Sequence, residues 1–255
     1  NLSLSKIFLE KGELKRASEI AFMCLKEAEK INDMYILGAI FHLLGIINTA
    51  KDDFEKSLSF NSKELEVRKK LNDKRGLGKV ILSKGAIFHH KGDIDNALNC
   101  YNSCLTIQEE LDDKRGIAIS LINIGQVYCN KGLYSKALTY HMRCLKIRED
   151  LGMNYWIGVS CVLIGELHLY ESNFKEAIVF LERAYSLLNN LSLRSSDMLE
   201  TEVFLQLAYK NLDNKYEIDK VKTLLSKTMA NRLRIHDYVN YALYQLLEDI
   251  LYIET

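Results

Sequence analysis

Apolar residues along this chain recur at steps of three and four, not two. Between 117 and 131 they fall at Ile117, Leu121, Ile124 and Tyr128, with Gly125 on the same side. Between 133 and 151 they fall at Leu133, Ala137, Leu138, Tyr140, Met142, Cys144, Leu145 and Leu151. Such spacing gathers a stripe on one side of an α-helix. No stretch shows the sustained alternation, bounded by turn clusters, that marks a strand. The spacing predicts helices near 2–11, 13–31, 34–51, 53–71, 74–91, 93–111, 114–131, 133–151, 154–171, 173–190, 196–211, 217–232 and 237–254.

The pattern itself repeats. Gly45, Gly85, Gly125 and Gly165 are 40 residues apart. Gly12, Asp52, Gly92, Gly132 and Ser172 keep the same step, and so do Ala17, Ser57, Ala97, Ala137 and Ala177. A fixed period of this size means an array of stacked supersecondary units, here two helices each. The polar punctuation agrees. Asp33, Asp73 and Asp113 precede the first helix of their units, and Asp53, Asp93 and Asn173 precede the second. Asp and Asn are favoured at such positions because the side chain accepts an otherwise orphaned backbone N–H. Turns such as Lys91-Gly92-Asp93 and Lys131-Gly132-Leu133 are tight. The last third leaves the register: the connection at Ser192–Asp197 is longer and the turn Asp213-Asn214-Lys215-Tyr216 falls late. The final predicted helix, 237–254, reads as a cap on the end of the stack. The domain reading is one repeat array over 1–236 followed by a capping helix over 237–255. The chain opens at Asn1 inside a helical pattern, which is read as a piece of something longer.

Composition narrows the function classes. Lys+Arg and Asp+Glu both number 34, so the chain lacks the basic excess of a general nucleic-acid binder. No apolar run approaches the ~20 residues that span a bilayer, and no signal-peptide pattern opens the chain. No proline occurs, and nothing resembles a low-complexity linker. Of six cysteines, Cys24, Cys104 and Cys144 share one rung of the 40-residue ladder. A disulfide framework would not place its cysteines at equivalent points of separate repeats, whereas a small buried residue at a packing position would. Paired zinc-ligand spacings are absent. The cysteines are read as reduced packing residues, which implies a cytosolic compartment.

These residues resemble a known family. Leu121-x2-Ile124-Gly125-x2-Tyr128 followed by Ala137-x3-His141 has the shape of the tetratricopeptide signature. Ile81-x2-Lys84-Gly85-x2-Phe88 with Ala97-x3-Tyr101, Cys161-x2-Ile164-Gly165-x2-His168 with Ala177-x3-Leu181, and Phe41-x2-Leu44-Gly45-x2-Asn48 with Ser57-x3-Asn61 follow it. The resemblance covers roughly 1–232. It departs in lacking the proline after the second helix and in its period of 40 rather than ~34, which suggests a second helix longer by about a turn and a half. Arrays of this long type resemble kinesin light chains, Pins-type polarity adaptors and Rap-type peptide receptors. The resemblance implies an all-α, right-handed α-solenoid of antiparallel helix pairs, with five to six repeats and a C-terminal cap. It also implies a non-catalytic scaffold that holds a protein or peptide in a concave groove. Alternatives are a peptide-sensing region of a larger signalling protein and a homo-oligomerisation module. The tyrosine-rich helix with Tyr238, Tyr241, Tyr244 and Tyr252 is the homodimer candidate.

On that reading the ladder residues are packing, and ligand chemistry lies off them. The free face of each first helix carries Ala39, Leu43, Ile46 and Ala50; Lys79, Ser83, Ala86 and His90; Ile119, Asn123, Gln126 and Asn130; or Val159, Leu163, Glu166 and Tyr170. Asn123 stands where related arrays place an amide against a bound peptide backbone; an amide both donates and accepts. The run Leu71-Asn72-Asp73-Lys74-Arg75-Gly76 is echoed by Leu111-Asp112-Asp113-Lys114-Arg115-Gly116. It sets the pairs Lys74, Arg75 and Lys114, Arg115 at equivalent rims of the groove, where Pins-type arrays meet acidic peptides. Arg holds a carboxylate bidentately. The bland alternative for each is a solvated helix face or loop. Adjacent His89 and His90 point in different directions on a helix and have no third ligand nearby, so no metal site is read there. Phosphate loops, nucleophile elbows and zinc-protease pairs are absent. Neither catalysis nor a cofactor is expected.

Overall fold

In the computed structural model, the structure describes residues 2–190 and 196–213, with single positions beyond. Among the described residues there are eleven helices and no strand. They are α1 (Leu2–Glu10), α2 (Leu14–Ile31), α3 (Met34–Ala50), α4 (Phe54–Lys70), α5 (Lys74–His90), α6 (Ile94–Glu110), α7 (Lys114–Asn130), α8 (Tyr134–Asp150), α9 (Asn154–Tyr170), α10 (Phe174–Asn190) and α11 (Ser196–Asp213). Each predicted helix in this span is present within two residues of its expected ends. The predicted helices 217–232 and 237–254, and with them the C-terminal cap and the tyrosine-rich dimer candidate, lie outside the described residues.

The extra length of the repeat is shared between its helices, where the sequence pointed to the second alone. Helices α3 to α10 are all 17 residues long, and three-residue turns join them. The turns explain why the period is so strict. At 71–73, the Asn72 N–H donates to the Lys69 carbonyl at 3.1 Å and the Asp73 N–H to the Arg68 carbonyl at 3.0 Å. This pair of bonds is the Schellman motif, with its left-handed residue at Asn72, φ 51°. The Asp73 carboxylate then accepts the Gly76 N–H at 2.8 Å. The last residue of the C-cap is thus the N-cap of the next helix. The same bond pair recurs at 51–53, 91–93, 111–113 and 171–173. The middle position is left-handed throughout: Gly12, Asp52, Gly92, Gly132 and Ser172 on one ladder, Asn32, Asn72, Asp112 and Gly152 on another. Such short joints force successive helices to run antiparallel.

The chain divides into two compact units, residues 1–127 and 128–255. In the first, α3 packs on α4, α5 on α6, and α4 on α5. Its N-terminal core holds Ala17, Ala21, Ile40, Leu44 and Ile47. Leu43, expected on an open face, is buried in this core. In the second unit, α9, α10 and α11 enclose Cys161, Ile164, Leu181, Leu188, Phe204 and Ala208.

The glycine and alanine rungs have a common purpose. Ala17, Ala97, Ala137 and Ala177 are wholly buried. Ser57 is buried on the same rung because its Oγ donates to the Gly45 carbonyl at 2.8 Å. A Cβ on Gly85 would lie 2.6 Å from the Tyr101 ring, one on Gly165 2.6 Å from Leu181, and one on Gly45 2.6 Å from Asn61. Each of these glycines makes room for the residue sixteen positions on, which fills the space between the two helices of its pair. Cys104 and Cys144 are fully buried packing residues as expected, and Cys24 on the same rung is partly buried against the core. The Cys104 thiol donates to the Gly78 carbonyl at 3.1 Å.

Candidate functional site

The first turns of α5 and α7 open onto one cleft in the first unit. Arg75 is the second residue of α5, Gly78 and Lys79 follow on the next turn, and Leu82 one turn further. Arg115, Gly116 and Ile119 take the matching places on α7. The last turn of α6, with Ile107 and Gln108, and its C-cap Leu111 line the other side of the cleft, and Asp113 caps α7 beside it. The cleft is half open to solvent and has a volume of about 380 Å³.

Charge is unevenly committed here. Of the twin Lys-Arg pairs, the lysines are compensated: Lys74 lies 3.5 Å from Glu110 and Lys114 2.9 Å from Asp112. Arg75, Lys79 and Arg115 are exposed and have no hydrogen bond or ion pair to another described residue. Asp113 is the acidic residue of the lining, and its carboxylate accepts the Gly116 N–H at 3.1 Å. Gln108 is buried and accepts the Ser120 hydroxyl at 2.6 Å. Apolar surface comes from Leu82, Ile107, Leu111 and Ile119, the last 47% exposed.

The structure therefore brings Arg75, Lys79 and Arg115 into one cleft. Ser83 is half-buried further along α5, outside the lining. His90 is exposed and stacks on Phe54, with ring centroids 6.3 Å apart. Asn123 and Gln126 are half-buried along α7; the Asn123 amide donates to the Ile119 carbonyl at 2.9 Å, on its own helix, which leaves its oxygen uncommitted. Asn130, Glu166 and Tyr170 belong to the second unit. There the Tyr170 hydroxyl donates to Glu166 at 3.1 Å and its ring stacks on Tyr134 at 4.8 Å.

Sequence reasoning missed the lining residues Ile107, Gln108 and Leu111. They sit at the end of a second helix, and the only available signal was the 40-residue equivalence of the turns on either side. It also missed Arg148 in the second unit, which is buried with its guanidinium donating to the Trp156 carbonyl at 2.9 Å and the Ser160 hydroxyl at 2.8 Å. Nearby His141 is buried, and its Nδ1 has no partner among the described residues. Burial, and then the Arg148 charge, hold its pKa down to about 4.

Burial pushes the thiols of Cys100, Cys104, Cys144 and Cys161 upward, the last to about 11. Burial raises Cys129 to about 11 as well. These thiols are packing groups, since a reactive cysteine needs a lowered pKa. Among the described residues no His, Cys, Asp or Glu cluster of metal-binding size occurs, and no helix is long and apolar enough to cross a membrane.

Residues 80–150 and 117–190 match the family model of the tetratricopeptide repeat. Within residues 80–190 the helix pairs match the tetratricopeptide repeat, here with a 40-residue period. No curated protein matches the sequence. Solved structures do match the fold. A signal transduction ATPase with numerous domains from Pyrococcus horikoshii, carrying a tetratricopeptide repeat sensor, aligns at 19% identity with a TM-score of 0.72. The match covers 99% of this chain and 37% of that one, so this chain spans little more than a third of its length. NprR in complex with its cognate peptide NprX aligns at 17% identity with a TM-score of 0.61, covering 96% and 69%. Aspartyl phosphate phosphatase F from Bacillus subtilis aligns at 13% identity with a TM-score of 0.77, covering 89% and 58%. At these identities the likeness is one of fold.

Proposed function

We propose that these repeats are a non-catalytic binding module for a protein or peptide segment, which lies against the first helices of the repeats. The observation that carries this is the cleft of the first unit, where Arg75, Lys79 and Arg115 stand exposed without any partner among the described residues. Cations that serve the fold pair with its carboxylates, as Lys74 and Lys114 do. Cations left open beside exposed Ile119 are suited to a partner with acidic residues. The free oxygen of Asn123 offers an acceptor to a backbone N–H further along α7. Ser83, His90 and Gln126 extend the same surface in the first unit, and Asn130, Glu166 and Tyr170 are the candidate contacts of the second. The six free thiols fit a reducing, cytoplasmic setting.

A second reading is a sensor region of a larger regulatory protein. It is favoured by the repeat sensor and the peptide-bound NprR among the matching structures. Capture of a panel of extended and helical peptides by the immobilised protein tests the main reading. Arg115→Glu and Asn123→Ala are expected to lose captured peptides. Capture unchanged in both variants refutes the groove assignment.

A further inference from the structure

We propose that the cleft between α5, α6 and α7 is a seat for a phosphate monoester, carried on a phosphorylated side chain of the bound segment. This rests on the reading of the protein as a peptide-binding module and goes beyond it, because it names the anchoring chemistry.

Three features point to a dianion rather than to a single carboxylate. The first is charge. Arg75, Lys79 and Arg115 supply three positive charges against the one negative charge of Asp113. The surrounding carboxylates Glu110 and Asp112 face Lys74 and Lys114 instead. An Asp or Glu side chain would leave this excess half-neutralised, whereas a phosphate monoester carries close to two charges at neutral pH. The second is donor geometry. Two guanidinium forks and an ammonium present more N–H groups than the two oxygens of a carboxylate can accept, and a phosphate offers three acceptor oxygens. The third is the position of the cations. Arg75 and Arg115 stand in the first turns of α5 and α7, where the helix dipoles also favour an anion. The last turn of α6 opposes this with its partial negative charge, about half an elementary charge, which the three full cations outweigh. Leu82, Ile107, Leu111 and Ile119 give the carbon atoms of the esterified side chain apolar surface.

The test uses the full chain and four probes: phenyl phosphate, and a capped pentapeptide with central phosphoserine alongside its Glu and Ser twins. Binding is followed by amide chemical shifts of Gly78 and Gly116 and by calorimetry. The phosphopeptide is expected to bind about tenfold more tightly than the Glu twin, with the Ser twin weaker still. Arg75→Gln and Arg115→Gln are each expected to weaken it about tenfold, while Lys74→Gln and Lys114→Gln leave it within about twofold. Phosphopeptide binding should strengthen as pH rises through about 6, where the ester gains its second charge. Equal binding of the phosphopeptide and its Ser twin, or binding unchanged in Arg75→Gln and Arg115→Gln, overturns the proposal. In that event peptides still captured by the panel leave the binding-module reading standing. Phenyl phosphate seated in the cleft with the phosphopeptide excluded overturns the peptide carrier and points to a small free phosphate ester.

Discussion

His141 makes the second unit sensitive to mild acid. Its imidazole is 2% exposed, its Nδ1 has no partner among the described residues, and the Arg148 guanidinium is near enough to repel a second positive charge. In the unfolded chain a histidine titrates at about 6.5; in the folded unit this one is held down to about 4. The folded pKa lies below the unfolded one, so the unfolded state takes up its proton first. The stability contribution is therefore fully present above about 6.5 and is lost as pH falls toward 4. At pH 5 the unfolded histidine is almost wholly protonated and the folded one mostly neutral. The difference costs about 2 kcal/mol relative to pH 8, from 1.36 kcal/mol per pKa unit.

Trp156 is the only tryptophan of the chain and lies on α9, with Arg148 5.2 Å from its ring centroid. Its fluorescence reports this unit directly. Urea unfolding followed at Trp156 should shift to lower denaturant by about 1 M between pH 8 and pH 5, for a slope of about 2 kcal/mol/M. His141→Asn places at this rung the residue that Asn61 provides two repeats earlier, without the titrating ring. Other titrating groups act in both proteins and cancel in the comparison. The variant is expected to lose about 2 kcal/mol less over the same pH range. Parallel pH profiles for the two proteins would refute the assignment of the acid sensitivity to His141.

Two glycines of different kinds should respond differently to alanine. At Gly85 a Cβ meets the buried Tyr101 ring at 2.6 Å. Overpacking of about 1–3 kcal/mol there outweighs the roughly 1 kcal/mol of helix propensity gained, so thermal melting should fall for Gly85→Ala. At Gly92 there is open space around the Cβ but φ is +75°, so Gly92→Ala should cost about 1 kcal/mol through the backbone alone. Conversely, Asp52→Gly relieves a left-handed aspartate with φ 58° and should stabilise by up to about 1 kcal/mol in a denaturant titration. Cys104, Cys144 and Cys161 are fully buried; a thiol-reactive dye should leave them unmodified in the native protein and label them in urea, and rapid native labelling of all six cysteines would contradict the packing described.

The parts of this structure that could be read from the sequence are those in which one residue type solves a local problem at a fixed interval. Asp33, Asp73 and Asp93 announce helix starts because each satisfies an orphan N–H within three residues. Gly85 and Ala97 announce close approach because nothing larger fits. The left-handed role of Asn72 and Asp112 was hidden, since Asn and Asp beside an N-cap look like further capping residues. The cleft was half-legible. Arg75 and Arg115 stood out through their duplicated context, but Gln108 and Ile107 join them only when the end of α6 is packed beside the first turns of α5 and α7. Arg148 shows the opposite difficulty. Its neighbours on the rung are Arg68 and Gln108, and polarity alone suggests a solvated face. In the fold, Arg148 is buried because a carbonyl and a hydroxyl of α9 accept its donors.

The joints between helices also bear on how such a chain changes length. Asn72-Asp73-Lys74-Arg75-Gly76 and Asp112-Asp113-Lys114-Arg115-Gly116 form the same hydrogen-bonded turn and nearly the same sequence. Cutting out 74–113 would join Asn72-Asp73 to Lys114-Arg115-Gly116 and rebuild the original joint residue for residue. Duplication of the same block would be equally silent at its seams. Recombination between the two runs therefore adds or removes a whole helix pair without creating a new turn, and the array can grow or shrink in steps of 40 residues while every connection it contains stays one already in use.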